Sequence, residues 1–178
     1  MKRIFLLICF GVVSPLAFSQ GLKLDHLDRL AAKAHETVNV TLDGSLLRLA
    51  SRFLSDTDAD QTEIKRLVNG LTSIVVRSFE FKSTGEYLDS DIEAIRAQLR
   101  NPAWKKIVEV RSKTSGDSDI YLHTDADRII GLTVISAEPK QLTVVNIDGA
   151  IDMDGLSKLG GNFGIPRSIH GRPEGKKK

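Results

Sequence analysis

The sequence predicts an α+β fold: a single domain with about six mostly antiparallel strands and four to five helices packed on the sheet. Three observations carry this. Apolar residues at helical spacing dominate the first half, four β-type runs separated by short turns fill the stretch from Trp104 to Asp148, and no repeat or linker divides the body. A chain of 178 residues with 41% hydrophobic and 27% charged residues also suits one globular unit, so collagen-like, disordered and polytopic membrane classes are poor fits.

The chain opens on Lys2 and Arg3, followed by the apolar run Ile4 to Val13 and then Ser14-Pro15-Leu16-Ala17-Phe18-Ser19. A basic start, a short apolar stretch and small residues at Ala17 and Ser19 form the pattern of a secretory signal peptide over residues 1–19, with cleavage before Gln20. The stretch from Ile4 to Phe18 contains Ser14 and Pro15 and is shorter than the roughly 20 residues a spanning helix needs. The expectation is an exported protein, periplasmic or extracellular. Cys9 follows Ile8 too early for a lipidation signal.

Leu24, Leu27, Leu30, Ala31 and Ala34 predict an amphipathic helix over 24–34, with Asp25 and Asp28 near its positive end. Val38, Val40 and Leu42 alternate with polar residues, the mark of a half-buried strand, and Asp43-Gly44 turns the chain into a second helix carrying Leu46, Leu47, Leu49, Ala50, Phe53 and Leu54. After the acidic connection Ser55 to Gln61, residues Ile64, Leu67, Val68 and Leu71 predict a third helix that Asn69-Gly70 ends through the left-handed cap conformation. The mixed apolar segment Ser73 to Phe81 reads as a central strand covered on both faces. Asp89 precedes a fourth helix with Ile92, Ile95 and Leu99, stopped by Asn101-Pro102. The runs Trp104 to Arg111, Asp119 to Thr124, Arg128 to Ala137 and Gln141 to Asp148, joined by hairpin-length turns, predict an antiparallel meander. A final helix is expected at Met153 to Leu159, closed by Gly160-Gly161, within a globular domain of residues 20–166.

Charge is distributed unevenly. Loss of residues 1–19 removes Lys2, Arg3 and the only cysteine, and reduces 25 basic residues to 23 against 23 acidic ones. The last twelve residues, 167–178, carry five basic residues against Glu174 and read as a disordered basic tail. Residues 20–166 then hold 18 basic and 22 acidic groups, a balance that argues against nucleic acid as a partner. The tail offers a cationic cluster for weak contact with an anionic membrane surface. A mature chain without cysteine has no disulfide framework and no thiolate chemistry, so its own core must stabilise it.

No catalytic, cofactor-binding or metal residue emerges from the pattern. Asp56-Thr57-Asp58-Ala59-Asp60 begins like a calcium loop, but Gln61 and Leu67 stand where glycine and glutamate are needed. His26, His35, His123 and His170 lack the three- or four-residue spacing of a zinc site. His123 is the best candidate base, placed with Tyr121 opposite the core-facing Ile120 and Leu122 and beside the hairpin tip Asp125-Ala126-Asp127, yet no Gly-x-Ser-x-Gly elbow supplies a nucleophile. The few aromatic residues of the mature chain, from Phe53 to Phe163, fit core or sheet packing.

Taken in order, Thr37 to Leu47, Val76 to Phe81, Ile92 to Leu99, Trp104 to Val108 and Glu138 to Ile147 resemble the signal-peptide-bearing bacterial proteins grouped as domain of unknown function 4252, over about residues 23–160. The resemblance implies an exported bacterial protein and brings no activity and no site residues. The leading expectation is therefore a non-enzymatic binding or regulatory module of the bacterial envelope, with an unknown protein or an apolar ligand as partner and no cofactor. The alternative is a periplasmic carrier of an apolar, lipid-like ligand, and a hydrolase ranks last.

Overall fold

The computed structural model describes residues 21–152, so the expected signal peptide, the helix expected at Met153 to Leu159 and the expected basic tail lie outside the described residues. A 3₁₀ helix, Asp25–Ala32, stands where an amphipathic helix is expected and buries Leu27 and Leu30. Strand β1 (Glu36–Asp43) leads into α1 (Gly44–Ser51), whose first backbone N–H groups are capped by the Asp43 carboxylate, and α2 (Ala59–Gly70) is capped by Asp58. Strand β2 (Leu71–Glu80) follows without a loop. Gly70 therefore is not a left-handed cap; its missing Cβ matters because such an atom would lie 2.8 Å from the Ala150 carbonyl oxygen.

Helix α3 (Asp89–Gln98) carries the chain to the far edge of the sheet, where β3 (Trp104–Val110), β4 (Asp117–Asp125), β5 (Arg128–Glu138) and β6 (Gln141–Gly149) form the expected meander. The sheet order is β1-β2-β6-β5-β4-β3 with every pairing antiparallel. The turn after Asp125 places Ala126 at a φ of 51°, and the turn before β4 needs Gly116, at a φ of 91°, where a Cβ would meet the Ala137 carbonyl oxygen at 2.3 Å.

Side chains alternate across the sheet, so the register assigns every strand residue to one of two faces. The first face carries Phe79, Tyr121, Ile135, Ala137, Leu142 and Val144, which pack with Leu24, Leu27 and Leu30 of the N-terminal segment and Ile92, Ile95 and Leu99 of α3 to form the core. Along β5 and β6 buried residues alternate strictly with half-buried ones, so only this face is covered. Two expectations are corrected here. Strand β2 is interior in the sheet but not covered on both faces: Phe79 is buried, while Ile74 and Val76 are only half-buried. In β4 the core-facing set is Asp119 and Tyr121, not Ile120 and Leu122, because helix α3 brings Arg96 onto the Asp119 side.

Candidate functional site

Three features of the sheet are candidates for function: a charged groove, a polar row and an open apolar face. The groove lies between α3 and β3–β4 and is lined by Arg96, Arg100, Trp104, Lys106, Glu109 and Tyr121, among others. At its base the Asp119 side chain is fully buried, with Arg96 at 2.7 Å, Arg111 at 2.8 Å and Lys106 at 3.6 Å. Burial pushes the Asp119 carboxyl up, but the Arg111 and Arg96 guanidinium groups beside it outweigh this and hold the group below the usual carboxylate value. Glu93 bridges Arg96 at 3.0 Å and Arg100 at 2.5 Å, Glu109 bridges Lys106 at 2.8 Å and Arg111 at 2.6 Å, and Asp117 approaches Arg96 and Arg111. Four cations thus face four carboxylates, so the groove is internally neutralised; it clamps α3 to the meander rather than presenting free charge.

The second feature continues along the first face beyond the core. Thr133 donates to Asn146 Oδ1 at 2.7 Å, Asn146 donates to Asp148 Oδ2 at 2.8 Å, and Ser73 donates to the same oxygen at 2.8 Å. Thr133 and Asn146 are buried, so this relay satisfies polar groups that otherwise destabilise the sheet. Trp104 stacks on His123 with ring centroids 4.7 Å apart, and both pack over Gly131, where a Cβ would come within 2.9 Å of the His123 Cβ.

The third feature is the second face. Through the register, Val40, Val76, Val145, Val134, Ile120 and Val108 form one continuous row across all six strands. Beside it run Leu42, Ile74, Ile147, Leu132, Leu122 and, at the β3 edge, Lys105. On the other side Val38 and Val110 flank a run of hydroxyls from Ser78, Thr143, Ser136 and Ser118, with Ser78 and Thr143 hydrogen-bonded at 2.8 Å. Glu36, Glu80, Gln141 and Glu138 close that end as an acidic rim. None of these aliphatic residues is buried, and Val38, Val108 and Val110 are exposed. A contiguous aliphatic sheet face of this extent is uncommon on a protein surface.

The residues weighed from sequence are dispersed. Asp56 pairs with Lys65 at 2.6 Å, Asp58 caps α2, and Asp125 pairs with Arg128 at 3.1 Å. His26 Nε2 lies 3.1 Å from the Asp91 carbonyl oxygen, whereas His123 is engaged with Trp104. Among the described residues no group of three or more His, Cys, Asp or Glu side chains is placed to hold a metal ion, and no helix is long and apolar enough to cross a membrane. Phe53 is 83% exposed, against the expectation that the aromatic residues pack in core or sheet; it ends an exposed stripe with Leu46 and Leu49 on α1.

Sequence reasoning missed the open face because it took Val38, Val40 and Leu42 as core-facing. A signal was present: β2, β5 and β6 carry aliphatic residues at both parities, more than one helical layer can cover. Asp119 had no comparable signal, since its partners come from other elements. Comparison with known proteins gives one family model, described as Domain of unknown function (DUF4252), matching residues 32–159. No curated protein and no solved structure matches.

Proposed function

We propose that this chain, which belongs to the DUF4252 family, is a non-enzymatic binding module of the bacterial envelope that makes its contacts through the open second face of its sheet. The observation that carries this is the two-row aliphatic platform running through Val76, Val145 and Val134, which no described element covers. Export, to the periplasm or beyond, is part of the reading and is supported by the leader pattern of residues 1–19. The first face supports a scaffold role, because its buried charges and hydroxyls are directed at one another. The apolar surface is an open plane, whereas the groove beside α3 is lined largely by charged and polar residues. That geometry favours docking of an extended surface over enclosure of a lipid-like ligand.

Site-specific photo-crosslinking in expressing cells tests the reading. A benzophenone side chain at Val134 should give an adduct identifiable by mass spectrometry, while the same group at exposed Lys33, on the helical side, should not. Absence of an adduct at Val134, or equal labelling at both positions, would refute it.

A further inference from the structure

Resting on that docking face, we infer that its occupant is a second copy of this chain, packed sheet on sheet about a two-fold axis. The first argument is area. Six strands about 4.8 Å apart span about 29 Å, and three rows at every second residue span about 20 Å. Two such faces bury about 1,100 Å² together, above the roughly 1,000 Å² that a specific protein interface needs. The plane is also of the kind that stacks on another sheet, with side chains from both sides interdigitating across about 10 Å.

The second argument is self-complementarity. A two-fold axis lying between the two aliphatic rows and across the strands places the smaller row, Val40 to Val108, against the larger row, Leu42 to Leu122, of the partner. The same operation carries the acidic rim of Glu36, Glu80 and Glu138 towards the opposite end of the other copy. The two acidic rims therefore lie at opposite ends of the pair and do not meet. An anionic membrane surface would instead meet the acidic rim with like charge, so the charge pattern favours the second copy.

Light scattering coupled to size exclusion tests this on the full chain as the cell processes it. At micromolar concentration the protein should elute at twice the mass of a single chain. Val145→Glu and Val134→Lys should each reduce that to the mass of one chain with an unchanged circular-dichroism spectrum, whereas Val145→Ile should remain a dimer. A wild-type monomer overturns the inference, and so does a dimer indifferent to both charged variants. Co-sedimentation with phosphatidylcholine vesicles that Val145→Glu abolishes, from a protein monomeric in solution, would replace the second copy by lipid and leave the docking face standing. If neither self-association nor crosslinking nor vesicle binding responds to these substitutions, the docking face itself is refuted.

Discussion

Replacing Asp119 by Asn removes one buried charge from the groove while preserving its shape. The carboxylate is fully buried and lies 2.7 Å from Arg96 and 2.8 Å from Arg111, and Arg96 is itself only 14% exposed. Removing one member of a buried pair costs about 3–5 kcal/mol, because the remaining charge is left without compensation. Arg96 retains Glu93 at 3.0 Å and Arg111 retains Glu109 at 2.6 Å, which brings the cost down to or just below the bottom of that range, about 2–3 kcal/mol. For a domain of this size that is a melting temperature lower by about 10 °C. The pH dependence follows from the sign of the shift. Asp119 is held below its ordinary value in the folded state, so its contribution is complete above the unfolded carboxylate pKa and is lost as pH falls through the folded one. Urea unfolding of wild type and Asp119→Asn should therefore differ most near pH 7, and the difference should shrink below about pH 4. A difference under about 0.5 kcal/mol at pH 7, the level of an ordinary surface substitution, would show that the network is not a clamp.

Three further substitutions examine the first face and its turns. Thr133→Val leaves the buried Asn146 Oδ1 without its 2.7 Å donor and should cost about 1–3 kcal/mol in denaturant unfolding. Gly116→Ala places a Cβ at 2.3 Å from the Ala137 carbonyl oxygen at a φ of 91°, so the β3–β4 turn should rearrange and the melting temperature should fall by several degrees, about 1–3 kcal/mol in stability. Gly131→Ala pushes the His123 and Trp104 rings from their 4.7 Å stack; since Trp104 is the only tryptophan, a red-shifted emission spectrum should accompany a loss of about 1–3 kcal/mol.

The meander was legible because its signal is local. Each of β3 to β6 combines β-branched residues with a short turn, and the expected limits differ from the observed ones by two residues or fewer. The pairing of β2 with β6 joins Val76 to Val145, far apart in the chain, and nothing local distinguishes it from other arrangements. The facing of β4 was misread for a related reason. Ile120 and Leu122 are more apolar than Asp119 and Tyr121, so alternation alone sends them inward; the outcome was decided by Arg96 on α3, whose partner is Asp119. The helix expected at 24–34 has the right apolar stripe but forms as 3₁₀, and the stripe is what docks it, since Leu27 and Leu30 are fully buried.

The open face is not required by the fold, and that separates it from the core. A strand needs residues that suit a pleated surface, and threonine meets that need about as well as valine. Val76, Val134 and Val145 form a run of cross-strand neighbours at the centre of the face, all half-buried. If these side chains served only the sheet, replacing all three by threonine, nearly isosteric but polar, should cost little, because their hydroxyls can pair with one another or with water, as those of Ser78 and Thr143 pair one row away. If the face is covered by another surface, the same hydroxyls are buried without partners, at about 1–3 kcal/mol each. Comparing unfolding under dilute conditions, where only the isolated chain is present, with that at high protein concentration distinguishes the two cases. The triple variant should match wild type when dilute, within about 1 kcal/mol, and should lose the rise in melting temperature with concentration that an associating protein shows. A triple variant as concentration-dependent as wild type would mean that the valines on this face serve the strands alone.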